Sequence, residues 1–305
     1  MAILTVNNET LTAIEGIKVG HWQDLRARTG CTVILCPPEG CIASGLALGS
    51  APGSREQALL ASEKSVDRVH AILMTGGSAF GLDAASGVMN WLEQQGRGYS
   101  VPGIKIPIVP AAVIFDFLVG DSSVRPSSEH GFEAAESASS HPVKMGQIGV
   151  GAGALVGKYA GYEHASLGGL GTALAHIGDT KVAALAVSNA IGDIVQDGKW
   201  IAGSKIKAEI QESQTVSGTN TTLVTVATNA TITKTEARVL AQSAHIGIAR
   251  VTRPSHTLHD GDTSFVISTC QKPAEDMMKL SIAVQEVVAE AIVKGVKAAN
   301  SENLM

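Results

Sequence analysis

The sequence predicts a mixed α/β (α+β) fold in one domain, and three observations carry that prediction. Of 305 residues, 45% are hydrophobic and 17% charged, which supplies material for a sizeable core. Short β-branched or apolar runs alternate with longer segments of helical periodicity, the pattern of layered sheets and helices. Aromatic residues make up only 4% while glycine numbers 33, so Ala, Val, Ile and Leu must fill the interior. Such a core favours close layering of helix on sheet. The length suits one large domain or two intimately packed ones, and no fixed-period repeat or low-complexity tract divides it.

Strand-like runs fall at Thr32–Leu35, Ala71–Met74, Ile106–Val109, Gln147–Gly151, Val182–Ser188, Thr222–Thr228 and Thr263–Thr269. They are bounded by Gly, Pro, Asn or Asp, the residues that punctuate strands. Helical patterns lie between them. Ser54–Arg68 offers a serine cap with acidic and Gln residues in its first turn. Ala79–Gln95, Glu129–Ser139 and Lys234–Ile248 follow, and Ala274–Ala299 closes the series. In that last helix Met277, Leu280, Val284, Val287, Val288 and Ile292 keep one face dry. The polar, helix-free stretch Ala208–Gly218 reads as an exposed, readily cut linker immediately before a strand.

Charge excludes several function classes. A net charge of −5, from 23 basic and 28 acidic residues without a basic block, argues against nucleic acid as a partner. Four cysteines without a CxxC pair read as reduced thiols of a cytoplasmic protein. No apolar run reaches the roughly 18–20 residues that span a bilayer. The opening residues lack a basic segment followed by a long apolar one. A cytoplasmic chain with no membrane partner is the expectation.

After the linker comes Thr219-Asn220-Thr221-Thr222, then the alternating run LVTVATNA. Threonine is among the commonest strand residues, so Thr221 reads first as an ordinary strand position. Chemistry gives the second reading. A hydroxyl is a weak nucleophile unless a base stands beside it, and a free α-amine on the same residue is such a base. Its pKa of about 7.7–8.0 leaves a useful neutral fraction near pH 7. An internal threonine gains that amine only if the bond before it breaks, which an N→O acyl shift achieves. A flexible linker leading into a rigid strand suits that step.

The motifs together resemble the L-aminopeptidase/D-esterase (DmpA-like) family of N-terminal-nucleophile hydrolases. That family also holds the β-peptidyl aminopeptidases and the nylon-oligomer (6-aminohexanoate-oligomer) hydrolase. The resemblance is carried by IEGIKVGHWQDLRARTGCTVILC, MTGGSAFGLDAASGV (Met74–Val88) and VPAAVIFDF (Val109–Phe117). GQIGVGAGALVGKYAG, AVSNAIGDI, GTNTTLVTVATNA and HDGDTSF continue it in family order, from about residue 13 to 270. It implies a DmpA/ArgJ-like four-layer αββα sandwich and self-cleavage at Asn220–Thr221, giving an α segment of 1–220 and a β segment of 221–305. Thr221 becomes the nucleophile at the head of the β segment, where several members carry Ser.

The resemblance also assigns supporting residues, each with a plainer alternative. Lys158 in GALVGKYAG matches a catalytic lysine; alone it reads as a surface lysine. A phosphate-binding loop is excluded, because Ala152 replaces the first glycine and Tyr159 follows the lysine. Asn189 in AVSNAIGD is implied as an oxyanion donor and otherwise reads as a turn residue. Asp260 and Asp262 in HDGD match the pair that orients the nucleophile's amine, though DGD is also a good turn. Gly76, Gly77 and Ser78 form a strand-to-helix turn that shapes the substrate site, with helix N-terminal amides able to bind an oxyanion or carboxylate. Ser78 is not a GxSxG nucleophile, since Phe80 stands where the second glycine belongs. Phe115 occupies a position where some members carry a hydrogen-bonding Tyr. His256 and His259, near Asp260 and Asp262, read as surface residues rather than metal ligands. No metal and no cofactor are expected.

The function so implied is a self-processing amide hydrolase or aminopeptidase acting on short peptides or amides through a Thr acyl-enzyme, in a homo-oligomer of αβ units. An endo-type hydrolase of ω-amino-acid (6-aminohexanoate) oligomers is the alternative. A protein that never cleaves and only binds a small ligand is the alternative from another class.

Overall fold

Side-chain alternation along the strands decides the architecture. The computed structural model describes residues 8–207, 218–274 and 276–301. The principal strands are β1 (Lys18–Asp24), β2 (Thr29–Leu35), β3 (Cys41–Ala47), β4 (Ala71–Thr75), β5 (Ala111–Val113), β6 (Gly169–Ile177), β7 (Thr180–Asn189), β8 (Thr221–Thr231) and β9 (Thr263–Pro273). The helices are α1 (Ala84–Gln94), α2 (Ser128–Glu136), α3 (Lys234–Val251) and α4 (Met277–Ser301). One sheet runs β1-β2-β4-β5, with the short strand Ser54–Arg55 at its edge. The other runs β6-β7-β8-β9-β3, with Arg68–Val69 at its edge.

Odd positions of β2 (Cys31, Val33, Leu35) pack with Val88 and Leu92 of α1 and Ala134 and Ala135 of α2. Ile34 turns the other way and, with Ile72 and Met74 of β4, meets Leu185, Leu223 and Phe265 of the second sheet. The second sheet's outer face, including Val224, Val226 and Val266, is covered by Leu240 and Ala244 of α3 and Val284, Val288 and Ile292 of α4. Helices, sheet, sheet, helices: this is the αββα sandwich. Small residues let the layers close. A Cβ on Gly171 of β6 would lie 2.0 Å from the Ala291 carbonyl oxygen, and one on Gly295 would lie 2.6 Å from the Gly171 nitrogen. Helix α4 therefore rests on backbone. At the head of α3, the Thr233 hydroxyl accepts the Glu236 N–H at 3.2 Å while the Glu236 carboxylate accepts the Thr233 N–H at 2.7 Å, a reciprocal cap that fixes where the helix begins.

The fold departs from the sequence expectations in four places. Ser54–Arg68 is not an α-helix: its ends pair at the sheet edges, and between them only Ala58–Leu60 makes a 3₁₀ turn. The carbonyls of Leu59, Lys64 and Val66 are taken by the Lys234 ammonium at 2.6–3.0 Å instead of by helical N–H groups. Ile106–Val109 is not one strand. Ile104–Ile106 pairs with Tyr99–Val101 in a hairpin, and the buried strand β5 starts only at Ala111, after two prolines that lack ladder donors. Gln147–Gly151 gives way to a 3₁₀ turn, Gly149–Gly153, with Gly149 at φ +54°. The expected helix at Ala79–Gln95 opens as a 3₁₀ turn, Ser78–Asp83, and becomes α1 at Ala84. Strands β1, β3 and β6 were not read from the sequence. Residues 208–217 of the linker lie outside the described residues.

Phe265 is fully buried between the sheets. Phe265→Ala is expected to cost about 3–5 kcal/mol, read as a lowered urea midpoint.

Candidate active site

Strand pairing gathers distant residues at one end of the second sheet. Antiparallel pairing of β7 with β8 sets Asn189, the last residue of β7, opposite Thr221, the first of β8. Strand β9 runs parallel to β8, so the loop entering β9 arrives at the same end, and Asn220 makes a parallel bridge with Asp260. That loop is pinned from β3: Leu48 N–H and Gly49 N–H bond the Asp262 carbonyl, and Ala51 N–H bonds that of Asp260. Lys158 is brought in by a turn that begins at Gly157 (φ +73°), where a Cβ would lie 2.0 Å from the Ser204 nitrogen. Thr221, Lys158, Asn189, Asp260 and Asp262 are all buried.

The contacts form one network. Lys158 Nζ donates to the Asn189 carbonyl at 2.8 Å, to Asn189 Oδ1 at 3.0 Å and to the Thr219 carbonyl at 3.0 Å. Three acceptors use all three hydrogens of an ammonium. Burial pulls this group's pKa down to about 7, against the upward pull of Asp260 and Asp116. Asn189 Oδ1 also accepts the Leu155 N–H at 3.0 Å, and its Nδ2 donates to the Phe115 carbonyl at 2.9 Å and the Thr219 carbonyl at 3.5 Å. The Thr221 hydroxyl lies 2.5 Å from the Asn220 carbonyl oxygen, which also accepts the Gly261 N–H at 2.8 Å.

The two aspartates do different things. Asp262 Oδ1 accepts the N–H of Thr222 at 2.6 Å, while its Oδ2 accepts the His256 N–H at 3.0 Å and lies 2.8 Å from His256 Nδ1. Asp260 Oδ2 accepts the Thr257 N–H at 2.9 Å and the Thr257 hydroxyl at 2.5 Å. Burial and then the charge of Asp262 raise the Asp260 pKa.

The turn after β4 is held from inside. Gly77 (φ +75°) donates its N–H to Asp116 Oδ1 at 2.8 Å, Gly76 donates to the Gly30 carbonyl at 2.8 Å, and Ser78 donates to the Ile114 carbonyl at 3.0 Å. All three amides are occupied within the protein, so these N–H groups are not offered to an anion. Phe115 adds its carbonyl to Asn189, and its ring stands edge-on to Phe117 at 5.2 Å.

Sequence reasoning missed two residues and misplaced a third. Gly261 supplies an N–H to the Asn220 carbonyl and could have been read from HDGD. Asp116, in VPAAVIFDF beside Phe115, clamps the glycine turn and accepts the Thr29 hydroxyl at 2.7 Å. His256 is half-buried against Asp262 instead of being a surface residue. Among the described residues no three His, Cys, Asp or Glu side chains gather as a metal site.

A profile of Peptidase family S58 matches residues 9–304. The chain belongs to this family. As an S58 peptidase it is a hydrolase acting on peptide or amide bonds. It is 37% identical over 301 residues to an uncharacterized aminopeptidase of Mycobacterium leprae, a match covering 88% of this chain and 81% of the other. A 6-aminohexanoate-oligomer endohydrolase of Kocuria sp. is 28% identical over 270 residues, covering 83% and 73%. In fold, the S58 chain is similar to the L-aminopeptidase D-Ala-esterase/amidase of Ochrobactrum anthropi. That match has a TM-score of 0.76 at 19% identity over 98% of this chain and 88% of the other. A Burkholderia sp. β-aminopeptidase gives 0.71 at 22% over 96% and 87%. These likenesses establish the Ntn-hydrolase fold. No helix among the described residues is long and apolar enough to cross a membrane.

Because Lys158 holds its proton only up to about pH 7 in the fold, against 10.5 ordinarily, the unfolded chain binds the extra proton between those values. Stability therefore rises with pH across that window. In melting curves from pH 7 to 10, the wild type is expected to gain on Lys158→Met; parallel curves contradict this.

Proposed function

We propose that this S58 peptidase cuts its own chain at Asn220–Thr221, into segments 1–220 and 221–305, and then works as an N-terminal-threonine aminopeptidase on short peptides or amides. One observation carries the reading: the Thr221 hydroxyl rests against the carbonyl of the bond that must break, and that oxygen already holds the Gly261 N–H. Thr221 Oγ adds to the Asn220 carbonyl carbon, and Gly261 N–H meets the charge that develops on oxygen. The C–N bond then breaks, nitrogen takes the proton that the hydroxyl gave up, and water hydrolyses the resulting ester. Asn220 leaves as a carboxylate, and Thr221 keeps a hydroxyl and a free amine.

The same groups serve a substrate. The amine takes the hydroxyl's proton as Oγ attacks the substrate carbonyl, then returns it to the leaving amine. In the uncut chain, Lys158 Nζ and Asn189 Nδ2 both bond the Thr219 carbonyl. Withdrawal of the segment ending at Asn220 frees these two donors for the substrate's oxyanion, so the cut also opens the site. Asp260 and Asp262 hold the loop and the start of β8. Phe115 and the Gly76–Ser78 turn bound the substrate's side. Aminopeptidase action is favoured over endo-cleavage of ω-amino-acid oligomers, because the relatives of higher identity are aminopeptidases. A homo-oligomer of αβ units belongs to the same proposal, and free, buried Cys31, Cys36 and Cys41 support a cytoplasmic setting.

Intact mass spectrometry tests the cut. Wild type is expected to give two fragments, and Thr221→Ala one uncut, inactive chain; normal splitting of that variant removes Thr221 from the mechanism. In Gly261→Ala the new Cβ would stand 2.7 Å from the Ala51 carbonyl and 2.9 Å from Thr221 Oγ1. Splitting is expected to slow roughly 100-fold, measured as fragment against time.

A further inference from the structure

Among the described residues, His256 is the one partner of the Asp262 side chain that can carry a positive charge. It meets that carboxylate twice, through its backbone N–H at 3.0 Å and through Nδ1 at 2.8 Å. The other oxygen of Asp262 takes the N–H of Thr222, the residue next to the nucleophile, at 2.6 Å. One carboxylate thus ties His256 to the first peptide unit of β8. The rest of the ring's surroundings are fixed. Its Nε2 lies 3.2 Å from the His245 carbonyl, and the two imidazoles meet edge-on at 4.9 Å.

The charge balance at this end of the sheet gives the pair a task. Cleavage creates an amine on Thr221, beside a loop that carries Asp260 and Asp262 within three residues. Two uncompensated carboxylates there would hold the new amine as ammonium, which cannot accept the hydroxyl's proton. Lys158 faces Asp260 and Asp116. Facing His256 are Asp262 and Asp260 from the loop, and His245 from α3 with Arg238 near it. Burial, chiefly, pushes His245 down to about 4, so it is neutral near pH 7. Burial opposes a charge on His256 as well, but the hydrogen bond and charge of Asp262 outweigh it and raise its pKa.

We propose that His256 is a positioning residue for the S58 reaction: it holds Asp262 against the Thr222 N–H and compensates its charge, so that the amine released at Thr221 stays a competent base. The inference rests on the self-cleavage reading and goes beyond it, because cleavage itself needs no amine.

The test compares wild type, His256→Asn and His256→Ala, with intact mass for processing and kcat/KM against pH on an amino-acid p-nitroanilide for the amine. Asn keeps a donor for Asp262 and loses the charge; Ala loses both. In processed His256→Asn the acid limb is expected to move up by about one pH unit, a roughly tenfold loss at pH 6 with little change at pH 9. In His256→Ala, the same shift is expected with a lower plateau as well. A purely structural role lowers the plateau and leaves the limb in place, and that result overturns the proposal. If the variants do not process, the wild-type imidazole decides. By reciprocity of coupling, NMR titration of His256 is expected to give a lower pKa in processed wild type than in uncut Thr221→Ala, because an ammonium appears nearby. Equal values overturn the proposal. Failure of wild type to split, by contrast, strikes the self-cleavage reading itself.

Discussion

Two strand pairings govern this site. The antiparallel register of β7 on β8 puts Asn189 opposite Thr221, and the parallel pairing of β8 with β9 delivers the HDGD loop to the same end. A one-residue slip in either register turns every side chain to the other face of the sheet. Thr221 would then lose its place opposite Asn189, the Asn220 carbonyl would lose the Gly261 N–H, and Leu223 and Phe265 would leave the core between the sheets. The apolar alternation that stabilises the sandwich is therefore also what aligns hydroxyl, carbonyl and amide donors. Packing and chemistry share a single constraint.

Electrostatics sets a second demand. Lys158, Asp116, Asp260 and Asp262 are all at least nine-tenths buried by exposure, and buried charges are costly unless paired and hydrogen-bonded. Each has at least one hydrogen-bond partner. Lys158 has three carbonyl acceptors, Asp116 has the Gly77 N–H and the Thr29 hydroxyl, Asp260 has Thr257, and Asp262 has Thr222 and His256. Several of these partners are backbone groups, which a rigid sheet end supplies at no side-chain entropy cost. The bonds from Lys158 and Asn189 to Thr219 are a different case, since they join the site to the segment that the proposed cut releases.

Much of the fold was legible, and the reasons differ by element. The dry faces of α3 and α4 and the runs in β7, β8 and β9 show their period over many residues, so sequence located them within a few positions. Ser54–Arg68 misled because a serine cap with acidic and Gln residues in its first turn imitates a helix start, whereas carbonyls of the segment are claimed by Lys234, distant in sequence. Strand β6, GLGTALAHI, is rich in glycine and alanine, so its place under α4 depends on backbone contact that no hydropathy pattern records. At the site, the family resemblance pointed to Lys158, Asn189, Thr221, Asp260 and Asp262, and the structure brings them together. Gly261 stood within the HDGD motif, but its contribution is a backbone N–H, which a reading of side chains passes over. Asp116 was hidden because its partner, Gly77, is adjacent only in the folded chain, whereas His256 was seen near Asp262 but read as a surface residue, because a short turn motif does not show how deeply it is packed.

The central claim is that Thr221 carries the acyl group, and trapping that intermediate is its most direct test. The protein is quenched in acid during turnover of an activated amino-acid ester, and its fragments are mapped by mass. The account predicts one acyl group, on the fragment that begins at Thr221 and on that residue. An acyl group found on Ser78, on Lys158, or on the 1–220 segment alone contradicts it.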